Sequence, residues 1–196
     1  MTAHKVCPWW LGYFLASPLR RLLQNPEKII APYLQPGMRV LEPGPGMGFF
    51  TIPAARLVGD KGRVFTVDVQ PKMLRELQHR AEKAGLGSRI ETRLVESESM
   101  PLADLAASID FALVFAVAHE VPDVLNFFKQ ISATLKPGAN ILFVEPAGHV
   151  SENAFSEEVA AAGNAGLRHV ASPDVRGHSA LLQKMVREEF ATGNAR

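Results

Sequence analysis

From Met38 onward, apolar runs of strand length alternate with segments of helical period. The runs are "RVLE" from Arg39, "RVFTVDV" from Arg63, "IETRLV" from Ile90, "IDFALVFAVA" from Ile109 and "NILFVEP" from Asn140. Strands that read as nearly continuous apolar runs between helices predict a mostly parallel sheet covered on both faces. The intervening helices are predicted at about 48–59, 71–85, 122–135 and 151–165, with Phe49 or Phe50 packing on the sheet. Pro71 and Pro122 stand where first-turn prolines belong, and "LKPG" from Leu135 is expected to stop a helix.

Both ends depart from this rhythm. "GLRHVAS" and "GHSALLQKM" read as two strands with only a short turn at Pro173–Asp174. So short a connection excludes a parallel crossover, and the pair is predicted to be antiparallel. Before Met38 the chain is aromatic ("CPWWLGYFL") and then helical, with Asn25 as N-cap and Pro26 at the first helical position. The prediction is therefore an α/β fold with a doubly wound, mostly parallel seven-stranded sheet and an antiparallel final strand. Residues 1–35 form a helical and aromatic cap segment, and residues 36–190 form a ligand-binding domain.

Composition narrows the function classes. With 196 residues, 47% hydrophobic and 21% charged, the chain suits a single globular core. Lys+Arg 21 against Asp+Glu 20 gives a net charge of +1, whereas a dedicated nucleic-acid binder is usually far more basic. Cys7 is the only cysteine, which excludes an internal disulfide and a thiolate zinc cluster. The apolar run from Trp9 to Ala16 is too short for a secretion signal, and no run approaches the roughly 20 residues needed to cross a bilayer. A cytoplasmic enzyme is expected, with no nucleic-acid or membrane partner.

The densest chemistry lies in "VLEPGPGMG", where Gly44, Gly46 and Gly48 alternate after the first strand. In doubly wound sheets ligands bind beyond the carboxyl ends of the strands, which is where this loop falls. Its G-x-G-x-G spacing is not the G-x-G-x-x-G of dinucleotide binding. Glu42 would also repel a pyrophosphate, yet suits a ligand carrying an ammonium or sulfonium group.

These residues resemble the first motif of the class I S-adenosylmethionine-dependent methyltransferases, an acidic residue followed by a G-x-G-x-G loop. The resemblance spans about residues 38–185 and has a small-molecule flavour, similar to quinone-biosynthesis methyltransferases. "VFTVDVQPKML" is similar to the second motif, which implies that Asp68 binds the ribose hydroxyls, with Val69 beside it. "LVESESMPL" implies Glu96 and Ser97 at the adenine. "IDFALVFAVAHEVPD" is similar to the fourth strand and the loop over the methionine end, implying a contact at Ala116. The cofactor implied is S-adenosylmethionine and the partner a small-molecule methyl acceptor. Glu145 and His149 stand where metal-assisted catechol methylation would imply aspartates and an asparagine, so no metal is expected.

His119 and Glu120 follow the fourth strand and are the candidate general bases for an acceptor that must lose a proton. Trp9, Trp10 and Tyr13 are candidates for an apolar roof over the acceptor. Two other readings compete with methyl transfer. One is a protein that binds S-adenosylmethionine without catalysis. The other is a nicotinamide-dependent oxidoreductase, which the loop spacing and Glu42 oppose.

Overall fold

In a computed structural model, residues 24–96 and 99–186 are described. They divide into two compact units that meet in sequence at Pro101 and Leu102. Seven strands form a mixed sheet, to which the first unit supplies three strands and the second four. No helix among the described residues is long and apolar enough to cross a membrane.

The first unit opens with a short helix α1 (Pro26–Ile30), whose first turn is closed by the Asn25 side chain accepting the Lys28 N–H at 3.2 Å. Then follow β1 (Arg39–Pro43), α2 (Thr51–Val58), β2 (Arg63–Asp68), α3 (Pro71–Lys83) and β3 (Ile90–Leu94). The strands lie in the order β3-β2-β1, all parallel, with Leu41 level with Phe65 and Glu42 level with Thr66. The apolar runs read as strands because they are buried: Val40, Leu41, Val64, Phe65 and Val67 are at most 3% exposed. Onto them α3 turns Met73, Leu74, Leu77 and Ala81, one stripe at helical spacing. Phe49 and Phe50 are both core, packed edge to face at 5.1 Å. Helix α2 starts at Thr51, later than the pattern suggested, because Gly48 stands at φ +87° and breaks the helical backbone before it.

The second unit contains β4 (Ile109–Phe115), α4 (Val124–Thr134), β5 (Leu135–Glu145), α5 (Glu152–Asn164), β6 (Leu167–Ala171) and β7 (His178–Lys184). Its strands lie in the order β4-β5-β7-β6. The first pair is parallel, and both pairs made by β7 are antiparallel, as the short final turn required. The fully buried Phe111, Phe128, Ile131, Ile141 and Phe143 form its centre, where Phe128 meets Phe143 edge to face at 5.2 Å. Each such side chain stabilises the fold by about 1.5–3 kcal/mol through burial.

Three further details differ from the pattern's prediction. Pro122 lies before α4 instead of within its first turn, and Asp123 is the cap, accepting the Asn126 N–H at 2.8 Å. "LKPG" does follow a helix, but it also opens β5. Leu135 pairs with Ile109 before the register shifts to Phe111 opposite Asn140, with Gly138 at φ +78° absorbing the extra residues. Strand β4 stops at Phe115, because Ala116 turns into the left-handed region at φ +55°.

Candidate functional site

In the first unit, β1 delivers Glu42 to the base of the glycine loop. Its side chain is 4% exposed and accepts a hydrogen bond of 2.6 Å from the Thr51 hydroxyl at the start of α2. Burial raises the carboxyl from 4.5 to about 7, only partly opposed by that bond. A buried carboxyl poised near neutrality is stabilised in its charged form by a cation brought beside it. Gly44, Gly46 and Gly48 all have left-handed backbones, at φ +66°, +53° and +87°. The loop is tied down by the Gly44 N–H to the Val67 carbonyl at 2.9 Å and the Gly48 N–H to the Pro45 carbonyl at 3.0 Å.

Two of these glycines serve different ends. A Cβ at Gly48 would stand 2.4 Å from Leu77 Cδ1, so this glycine lets the loop lie against α3. A Cβ at Gly46 would meet nothing within 4 Å among the described residues, so the loop's backbone is open there to close approach. An open left-handed loop beside a buried carboxyl suits an adenosyl ligand with a cationic end.

At the end of β2, Asp68 uses one carboxylate oxygen to accept the Gln70 N–H at 2.8 Å, which organises the entry to α3. Val69 beside it is 53% exposed, an apolar surface at the ligand-binding end of a strand. Glu96 is exposed just beyond β3. Ser97, Trp9, Trp10 and Tyr13 lie outside the described residues.

In the second unit the strained Ala116 follows β4, a backbone form that a non-glycine residue adopts at a cost of about 1–3 kcal/mol and that clusters at functional sites. The next turn, Ala118–Glu120, carries His119 and Glu120. His119 Nδ1 lies 2.6 Å from Oε2 of Glu145, the last residue of β5, and Glu145 is fully buried. The other oxygen of Glu145 accepts the Ala118 N–H at 2.7 Å and the His119 N–H at 3.4 Å. An ionised Glu145 thus holds the Nδ1–H form of the imidazole and leaves Nε2 as the basic nitrogen. Glu120 Oε1 stands 3.9 Å from that Nε2.

The hydrogen bond to Glu145 is the main cause of a raised His119 pKa. Burial opposes it, and the charges of Glu145, Glu120 and Glu158 add to it. The exposed His149 stacks beside His119, ring centres 6.3 Å apart. No group of three or more His, Cys, Asp or Glu side chains among the described residues is arranged to hold a metal ion.

Thr51 and Glu158 were not singled out from the sequence, and Glu145 was read only as a departure from a metal-binding pattern, not as a partner of His119. Glu145 had a readable signal, a carboxylate closing an apolar strand. Its partner follows from register alone: Phe115 lies level with Val144, which brings Glu145 to the turn after β4.

A family model described as a methyltransferase domain matches residues 34–190. A ubiquinone biosynthesis O-methyltransferase of Methylocella silvestris is 33% identical over 137 residues, covering 69% of this chain and 51% of that protein. A ubiquinone/menaquinone biosynthesis C-methyltransferase of Shewanella oneidensis is 29% identical over 111 residues, covering 57% of this chain and 43% of its own length. The chain thus spans about half the length of the curated relatives it matches. The crystal structure of a SAM dependent methyltransferase from Aquifex aeolicus superposes with a TM-score of 0.81 at 25% identity, covering 92% of this chain and 100% of that one. The family match runs through the glycine loop, Asp68 and the strands that carry them, and the chain belongs to the class I S-adenosylmethionine-dependent methyltransferases.

Proposed function

We propose that the chain is a cytoplasmic enzyme that methylates a small molecule, at an atom that gives up a proton. The observation that carries this reading is the buried Glu42 at the base of an open, left-handed G-x-G-x-G loop, in a chain of this family. When bound, S-adenosylmethionine supplies a methyl group on a sulfonium, ready for in-line displacement. Glu42 would offer a counter-charge to the cationic end of the ligand, and the backbone of Gly44, Gly46 and Gly48 would hold it. Asp68 would accept hydrogen bonds from the ribose hydroxyls, Val69, Glu96 and Ser97 would bind the adenine, and Ala116 would contact the methionine end.

On the acceptor side His119 Nε2 takes the proton, with Glu145 fixing the ring through Nδ1. Glu120 is the second base. For Trp9, Trp10 and Tyr13, which lie outside the described residues, the role proposed is an apolar roof that would keep water from the acceptor.

The test of the cofactor half is binding. S-adenosylhomocysteine is expected to raise the melting temperature and NADH to leave it unchanged, because only a ligand of the native state stabilises it. Asp68→Ala is expected to weaken S-adenosylhomocysteine by about 1–3 kcal/mol, the usual loss when a charge-assisted hydrogen bond goes. Equal affinity in calorimetry would remove Asp68 from the ribose. For the acceptor half, labelled S-adenosylmethionine is incubated with the protein and a fractionated cell extract, and the labelled product is identified. Trp9→Ala with Trp10→Ala is then expected to lower methyl transfer to that acceptor while leaving S-adenosylhomocysteine affinity as it was. Full activity in that variant would exclude the roof.

A further inference from the structure

The loop from Gly44 to Gly48 holds three glycines in five residues, and glycine loses more conformational freedom on ordering than any other residue. A ligand that had to order such a loop would bind more weakly by that cost. What fixes the loop beforehand therefore matters for binding. The bonds from the Gly44 N–H to Val67 and from the Gly48 N–H to Pro45 supply part of this order. Both are backbone bonds. A third anchor comes from a side chain 33 residues further along: Nη1 of Arg80, on α3, donates to the Met47 carbonyl at 2.7 Å.

Arg80 is placed for this by the helix that carries it. It follows Leu77 by three residues, so the two are neighbours on one side of α3. Leu77 is fully buried, and its Cδ1 is the atom that a Cβ at Gly48 would strike. One side of α3 thus meets two consecutive loop residues, Leu77 against Gly48 and Arg80 on Met47. Lys72, Arg75 and Lys83 of the same helix are exposed, whereas Arg80 is partly covered. The Met47 carbonyl and the Gly48 N–H belong to one peptide plane. Arg80 bonds its oxygen and the Pro45 carbonyl accepts from its nitrogen, so the plane is held at both edges. The start of α3 is organised in turn by Asp68, which accepts the Gln70 N–H. A single helix therefore joins the glycine loop to the residue proposed to bind the ribose.

We infer that Arg80 is a positioning residue for the cofactor, holding the Met47–Gly48 peptide so that the backbone at Gly46 stands open before the ligand arrives. It acts through the loop and not on the ligand. A charged donor suits the task, because a hydrogen bond from an ionised group is roughly twice as strong as one between neutral groups. Without it the loop would sample other backbone forms, and binding would have to restore the one seen here. The inference rests on the reading of this loop as the S-adenosylmethionine site.

The test compares wild type, Arg80→Met and Arg80→Lys in the full chain. Methionine keeps an apolar stem and loses the donors, whereas lysine keeps a charged donor. By calorimetry, S-adenosylhomocysteine affinity is expected to fall about 10-fold in Arg80→Met and to stay within about threefold of wild type in Arg80→Lys. In ligand-free Arg80→Met the Gly48 amide is expected to exchange with solvent about 10-fold faster, while the β2 amides keep their wild-type rates. Unchanged affinity in folded Arg80→Met, or a Gly48 amide that exchanges no faster, would overturn the inference. So would a loss in Arg80→Lys equal to that in Arg80→Met. Loss of protection throughout β2, or a failure to fold, would make Arg80 a pin for the whole unit and overturn it as well. If wild type itself does not bind S-adenosylhomocysteine, the cofactor reading of the loop fails. Wild-type binding with an unmoved Arg80→Met affinity defeats the Arg80 role alone.

Discussion

Replacing His119 by alanine is expected to lower methyl-transfer turnover by ~10²–10⁴-fold, the usual share of a positioned general base. The imidazole owes its place to two elements: the turn after β4 supplies the ring, and the end of β5 supplies the carboxylate that bonds Nδ1 at 2.6 Å. Because Glu145 raises its pKa, the wild-type rate should climb with pH through a midpoint above the ordinary 6.5 of histidine. Glu145→Gln should move that midpoint down, as the neutral amide no longer favours the imidazolium. S-adenosylhomocysteine affinity should stay within about threefold in His119→Ala, less than 1 kcal/mol. Cofactor affinity that falls in step with turnover would make His119 part of the binding loop. Turnover that is unaffected would pass the proton to Glu120 or leave catalysis to positioning.

Glu42→Gln is expected to stabilise the protein at pH 8 and to weaken its cofactor. In the folded chain this carboxyl titrates near 7, against 4.5 when exposed. A raised carboxyl binds its proton more tightly folded than unfolded, so its contribution is full below pH 4.5 and is lost as pH rises through about 7. At about 1.4 kcal/mol per pH unit the loss above pH 7 is about 3 kcal/mol. Glutamine removes this term and keeps an oxygen for the Thr51 hydroxyl. The melting temperature at pH 8 should therefore rise by about 6–12 °C, while at pH 4.5 the two proteins should melt alike. The same change deprives the cationic end of the ligand of its counter-charge, so S-adenosylhomocysteine should bind about 10-fold or more weakly. A melting difference that does not vary with pH would show that Glu42 is not the titrating group.

The strands were legible because burial on both faces leaves little room for polar residues, as in the run Ile109–Phe115. The glycine loop was legible because a left-handed backbone at Gly44, Gly46 and Gly48 demands that residue type. Polar partnerships across the chain were not. Thr51 meets Glu42 only once the loop between them has folded back. Glu145 meets His119 through the pairing of β4 with β5, whose register shifts between Ile109 and Phe111 and cannot be counted off the sequence. Glu158 did carry a local sign, a carboxylate in the row that Phe155 and Ala162 mark as inward, but a mildly amphipathic helix hides one such residue well.

The order β5-β7-β6 has a consequence for how the chain is made. Because β7 lies between β5 and β6, strand β6 leaves the ribosome before the strand it pairs with exists. The edge of β5 that β7 will cover, from Asn140 to Glu145, is open over the same interval. A nascent chain paused there presents an unpaired apolar edge, "ILFV", of the kind that templates association with other chains. The strand that shields it is also the last described strand to be synthesised, so synthesis speed over residues 146–184 sets how long the nascent protein is exposed to aggregation.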